Sequence, residues 1–226
     1  IVSGMAIACR ASGCALIGGE LAEMPGVYAS QEIDVAGTIV GVVDESLLLP
    51  NLQTMKSGDC LIAIPSSGLH TNGYSLARKI IFEINHLSID AILPGTNHVI
   101  GDLLLAIHRS YLTPLKDLVH QKKIKGMAHI TGGGLTDNIP RVLPSHLDAE
   151  VRRGSWDIPP LFHYLIEQGR LSIEDASQAL NLGVGMVLIV GEDQLSSVLN
   201  HLQSHQSEAW VLGCLSPGTG RVKFQS

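Results

Sequence analysis

Residues 59–80 read DCLIAIPSSGLHTNGYSLARKI. The run from Cys60 to Pro65 is apolar, too short for a helix and bounded by Asp59 and Ser66, so it reads as a strand. The next segment, Ser66-Ser67-Gly68-Leu69-His70-Thr71-Asn72-Gly73, is polar and glycine-bearing, which marks a turn. Helical spacing then resumes over about residues 74–84. A strand feeding a helix through a glycine turn is the basic unit of a mixed α/β protein.

The same unit recurs on both sides. Downstream, Met127-Ala128-His129-Ile130 is a short strand leading into Thr131-Gly132-Gly133-Gly134 and a helix start. Residues 86–100 read as a surface loop and 101–121 as a helix pair or one long helix. Helices are expected at 159–168, 174–179 and 193–204, with strands at 184–190 and 209–215. Upstream, residues 1–12 read as a helix, Ala15-Leu16-Ile17 as a short buried strand, and 33–44 as a strongly apolar strand. The stretch from Leu49-Pro50-Asn51 to Ser57-Gly58-Asp59 reads as a connector. These elements predict an α/β (α+β) chain with a first domain over 1–54 and a second over 55–226.

Composition narrows the class. Apolar residues make up 45% of the 226 and charged residues 16%, which excludes a disordered chain. The formal charge of −6 leaves no electrostatic footprint for nucleic acid, and Lys122-Lys123-Ile124-Lys125 is too short to supply one. Cys9, Cys14, Cys60 and Cys214 form no CxxC pair, so reduced thiols in a cytoplasmic protein are expected. No apolar run reaches the roughly 18–20 residues that span a bilayer. The first residue, Ile1, stands inside an apolar-periodic pattern with no cap before it, so the reading expects an N-terminally truncated product.

Three glycine-bearing loops carry the chemistry. Such turns expose backbone N–H groups and favour anions, phosphate above all. None matches GxxxxGK[ST] or GxGxxG. In the first, Gly18-Gly19-Glu20-Leu21-Ala22-Glu23-Met24-Pro25-Gly26, the carboxylates of Glu20 and Glu23 could bind Mg2+ or hold an amine, or could simply cap or solvate. In the second, His70 sits among Ser67, Thr71 and Asn72, where it could do general acid–base work; a lone loop histidine is more often a structural hydrogen-bonder. In the third, Thr131 to Gly134 would let a backbone approach a ligand closely.

The strings GGELAEMPG (18–26), DCLIAIPSSGLHTNGYSLARKI (59–80), HITGGGLTDNIPRVLP (129–144) and WDIPPLF (156–162) resemble, in order and spacing, signature segments of the AIR synthetase family, the phosphoribosylformylglycinamidine cyclo-ligases. Asn181-x-Gly183-Val184-Gly185-Met186 and Glu208-Ala209-Trp210 fit as well, so the resemblance covers nearly the whole chain. It implies a partial N-terminal domain, ATP-binding and dimer-forming, followed by a complete C-terminal domain. The implied reaction uses ATP to phosphorylate the formyl oxygen of formylglycinamidine ribonucleotide (FGAM). An internal nitrogen then displaces phosphate and closes the imidazole of aminoimidazole ribonucleotide (AIR), as a step of purine biosynthesis. The implied cofactors are ATP, Mg2+ and K+, and the implied partners are FGAM, ATP and, in the full-length form, a second copy. His70 and Asn72 would be catalytic. Gly18, Gly19, Glu20, Glu23, Ser67, Gly68, Thr131, Gly132, Gly133 and Gly134 would bind substrate and phosphate.

Some positions depart from the family pattern. Nothing resembles its acidic DGVGTK segment, Leu21 stands where a threonine is usual, Ile107-His108 replaces Pro-Thr before Arg109, and Leu182 replaces a cysteine. These keep two alternatives open: another ATP-dependent synthetase or kinase of the superfamily, or a degenerate, non-catalytic homologue.

Overall fold

A computed structural model describes residues 1–29 and 31–225. The backbone divides into two units, Ile1–Ser46 and Leu47–Ser226. The first holds helix α1, Val2–Ser12, closed by Gly13 at a φ of 66°, with the Gly13 and Cys14 amides donating back to Arg10 and Cys9 carbonyls. None of its helical residues is buried. The strands expected at 15–17 and 33–44 do not form: both stretches are irregular, and Ile17, Ile39, Val40 and Val42 are exposed. The physical reason is pairing. Apolar, β-prone residues make a strand only when a neighbour completes the hydrogen-bond ladder, and no described residue does so here.

The second unit is built on a six-stranded sheet. Its strands are β1 (Cys60–Pro65), β2 (Gly126–His129), β3 (Leu147–Arg152), β4 (Val184–Val190), β5 (Trp210–Pro217) and β6 (Val222–Gln225). They lie in the order β2-β4-β1-β5-β3-β6, antiparallel throughout except for the parallel β3–β6 pair. β1 is central, with Leu61 opposite Ile189 on β4 and Gly213 on β5.

Both faces of β1 are covered, which is why its sequence is apolar without alternation. Leu61 and Ala63 pack with Ala128, Val187, Ile189 and Leu212, beneath Leu135 and Ile139. Ile62 and Ile64 point the other way, against Leu115 and Leu118 of α4 (Leu112–His120) and Val198 and Leu202 of a C-terminal helix, Leu195–Ser204. Full burial of each such side chain stabilises the fold by about 1.5–3 kcal/mol.

A third apolar cluster sits among helices. Residues Tyr74–Arg78 form α2, which widens without a break into a π-helical turn, Lys79–Ile84. Ala77, Ile80 and Ile81 pack with Leu104 of α3 (Ile100–Leu104), and with Phe162 and Leu165 of α6 (Pro160–Gly169). Ala176 of α7 (Ile173–Ala179) and Leu180 belong to the same cluster. The short α5, Gly134–Asn138, lies between α4 and α6 in the chain. Lys125 binds both carboxylate oxygens of the fully buried Asp59 at 2.7 Å, tying the entry of β1 to the entry of β2.

Candidate functional site

The β1–α2 loop and the β2–α5 loop meet. Gly132 approaches Asn72 so closely that a methyl group there would lie 3.1 Å from Asn72 Oδ1. Gly134, at a φ of 56°, packs against the Ser177 carbonyl with no room for a β-carbon. Two buried asparagines hold these loops. Asn138 Nδ2 donates to the Gly134 carbonyl at 2.8 Å and the Gly132 carbonyl at 3.2 Å, and its Oδ1 accepts from Thr131 Oγ1. Asn181 Nδ2 donates to the Gly68 carbonyl at 2.8 Å, and its Oδ1 accepts from Ser66 Oγ and the Gly183 amide. Buried amides bonded through both nitrogen and oxygen fix a loop firmly, because displacement strands them.

Within the glycine run, two amides are already committed. Gly133 N–H donates to the Gln178 carbonyl and Gly134 N–H to the Thr131 carbonyl. A phosphate at this loop would therefore be met by the Thr131 and Gly132 amides rather than by all four residues.

His70 is buried, 3% exposed, at a φ of 54°. Its Nε2 accepts the Ser67 N–H at 2.9 Å and lies 3.0 Å from Ser67 Oγ, which donates to the Ile107 carbonyl and accepts the Arg109 amide. Burial, reinforced by His108, His129 and Arg109, lowers its pKa to about 4, so the ring is neutral near pH 7. His70 thus braces the Ser67 turn. Asn72 is half-buried at the loop's mouth, and its Nδ2 donates to the His70 carbonyl.

Two further histidines join it; the sequence reading names His108 as a departure from the family pattern and His129 at the head of the third loop but does not connect them with His70, because they lie 38 and 59 positions downstream on separate elements. The His108 ring stacks on His70 with centroids 3.8 Å apart, and His108 Nε2 lies 3.2 Å from His129 Nε2. Tyr111 closes the back of the cluster; its hydroxyl donates to the Pro65 carbonyl, and burial pushes its pKa up to about 12.

Gly18, Gly19, Glu20 and Glu23 lie in the first unit, all exposed and without regular structure. The second unit also has a cleft of about 270 Å³ beside the WDIPPLF segment, lined by Trp156, Asp157, His163, Leu180 and Asn181. Trp156 Nε1 donates to the Leu182 carbonyl there. Among the described residues no helix is long and apolar enough to cross a membrane.

Comparison with known proteins gives a family. A model described as AIR synthase related protein, C-terminal domain, matches residues 56–224, and the corresponding N-terminal domain model matches residues 1–43. The phosphoribosylformylglycinamidine cyclo-ligase of Geobacillus sp. (strain WCH70) is 45% identical over 220 residues, covering 97% of this chain and 63% of that protein. That of Bacillus subtilis (strain 168) is 44% identical with the same coverage. The chain therefore spans somewhat less than two thirds of the curated relatives it matches. Among solved structures, thiamine-monophosphate kinase from Stenotrophomonas maltophilia K279a shares the fold at a TM-score of 0.52 and 16% identity, over 75% of this chain and 51% of that one.

Proposed function

The chain belongs to the AIR synthase related protein family, and we propose that it carries most of a cyclo-ligase converting FGAM to AIR at the expense of ATP. The reading places the whole protein in cytoplasmic purine biosynthesis and gives it ATP and FGAM as small-molecule partners, with a second copy of itself in the full-length form.

The supporting observation is the meeting of the Ser67–Gly73 and Thr131–Gly134 loops around Asn72 and Gly132, each loop clamped from behind by a buried asparagine. Phosphoryl transfer leaves a protein little covalent work; it must hold two phosphorylated ligands in line and stabilise the charge that moves. Rigid backbone amides and a half-buried side-chain amide suit that task, because they donate to developing negative charge without reorganising.

In the proposed mechanism the formyl oxygen of FGAM attacks the γ-phosphorus of ATP and ADP leaves. An internal nitrogen of FGAM then attacks the activated carbon, the bond to the phosphorylated oxygen breaks, and the nitrogen loses its proton as the ring closes. Asn72 Nδ2 would turn from the His70 carbonyl to the transferring phosphoryl group, and the Thr131 and Gly132 amides would hold a ligand phosphate. His70 would contribute as a neutral imidazole that fixes the Ser67–Gly68 turn. Glu20 and Glu23 are exposed carboxylates three positions apart; as hard-oxygen donors they would be the ligands of a Mg2+ that would neutralise phosphate charge.

Labelling tests the route. FGAM carrying 18O in the formyl group should deliver the label to inorganic phosphate, while Asn72→Ala should lower kcat by about 10²–10³-fold. Label retained in the organic product, or an Asn72→Ala protein with unchanged kcat, would refute the assignment.

A further inference from the structure

We propose that Cys60 and Cys214 form a redox modification site: a facing pair of thiols that a hydroperoxide converts into a disulfide across the β1–β5 ladder. The site is independent of the cyclo-ligase reading, since neither thiol belongs to the loops described above.

Far apart in the chain, the two cysteines are brought together by strand register. Cys60 of β1 stands directly opposite Cys214 of β5, so both side chains leave the same face of the sheet. A glycine bulge sets that register. Gly58, at a φ of 91°, donates its N–H to the Leu215 carbonyl, and the Leu215 N–H donates to the Asp59 carbonyl. The ladder bond at Asp59–Leu215 makes the next pair, Cys60 and Cys214, a non-hydrogen-bonded one. Such a pair holds its Cα atoms about 4.5 Å apart, inside the roughly 4.4–6.8 Å range that disulfides span. A bridge can therefore close by rotation about the side-chain bonds, with the backbone left in place.

Both thiols are free, and they differ in access. Cys60 is buried, and its Sγ makes only a long contact of 3.9 Å to the Gly58 carbonyl, which is easily given up. Burial first, then Glu192, Cys214 and Asp59, push the Cys60 thiol up, so it stays protonated near neutral pH. Cys214 is half-buried and meets solvent. On its other side stands Glu150 of β3, whose carboxylate is held by Gln225 Nε2. The accessible thiol is thus Cys214, with Cys60 waiting behind it to resolve the oxidised sulfur.

The chemistry balances with the hydroperoxide as the sole oxidant. Cys214 Sγ, as thiolate, attacks the terminal oxygen of R–O–OH; the O–O bond breaks, R–OH leaves, and Cys214 becomes a sulfenic acid. Cys60 Sγ then attacks Cys214 Sγ, the S–O bond breaks, and the departing hydroxide takes the Cys60 proton to leave as water. Two thiols have lost two hydrogens and two electrons, and the peroxide has been reduced to an alcohol and water. A dithiol reductant reopens the bridge by exchange.

Cys9 and Cys14 provide an internal comparison. They lie at the end of α1 in the first unit, where no strand register opposes either thiol.

Peptide mapping of the purified full chain provides the test. The reduced protein is exposed to a slight excess of hydrogen peroxide, its remaining thiols are alkylated, and it is digested with trypsin without reductant. Cys60 and Cys214 are the sole cysteines of tryptic peptides 57–78 and 171–221. We expect these two peptides joined with the loss of two hydrogens, and dithiothreitol should release them. The same oxidation in urea, where the register is gone, should give a mixture of linkages. In Cys60→Ser, dimedone should trap a sulfenic acid on Cys214. Recovery of both parent peptides singly alkylated, oxygen added at Cys214 with no bridge, or linkage to Cys9 or Cys14 instead would overturn the proposal. So would an equal yield of the 60–214 bridge in urea, or a Cys60→Ser protein with no dimedone adduct on Cys214.

Discussion

Asn138 and Asn181 show how much of the site rests on residues that touch no ligand. Each is 4% exposed and uses its amide to gather one of the two loops. Replacing Asn138 with Ala removes the buried bond to the Gly134 carbonyl and the part-buried bonds to the Gly132 carbonyl and the Thr131 hydroxyl. The expected cost is about 1–3 kcal/mol, read as a lowered urea midpoint, with Asn138→Asp recovering less than the parent because it cannot donate twice. An unchanged midpoint would show that the loop holds itself. Neither clamp was legible in the sequence. The glycines and His70 were, since their types in a strand-to-helix turn point to phosphate chemistry, but an asparagine four positions into a helix looks like any polar residue. For His70 the sequence leaves open general acid–base work or a structural hydrogen-bonder; the fold lays it behind Ser67 under the His108 ring, as a buried brace.

In the second unit, strands with unbroken apolar runs were read correctly. β1 and β4 match residue for residue, and the helices at 160–169 and 173–179 lie within a residue of expectation. β3 and β6 escaped notice because charges interrupt them. In β3 the interruption is Asp148, 1% exposed, which accepts the Thr219 and Arg221 amides and pairs with Lys223 at 2.7 Å, so the residue that hides the strand also fastens β6 to it. Lys223, with those two amides, holds the Asp148 carboxyl well below the usual carboxylate range. The unfolded chain therefore takes up this proton first as pH falls. The stabilisation is complete above about pH 4 and is lost as acid protonates the native carboxylate. Urea unfolding at pH 6 and at pH 3 should show a steeper acid loss for the parent than for Asp148→Asn. Equal slopes would remove Asp148 from the account.

At the scale of the molecule, the first unit shows where sequence reading stops. Residues 33–44 have every mark of a strand, yet their apolar side chains stand in solvent, because strand formation is a property of a pair and no described partner is present. An extended apolar segment of this kind predicts self-association. Sedimentation velocity should show mass rising with protein concentration, and the double variant I39E/V42E should return the chain to the monomer. A parent that stays monomeric at all concentrations would count against the segment as an association surface.

The most direct measurement is coupled release of ADP and AIR from FGAM, ATP, Mg2+ and K+, run on this chain and on the same chain extended upstream by the segment the family resemblance implies. The account predicts one ADP per AIR in the extended protein, abolished by omitting either ATP or FGAM. An extended, folded protein that binds no FGAM and forms no AIR would contradict it.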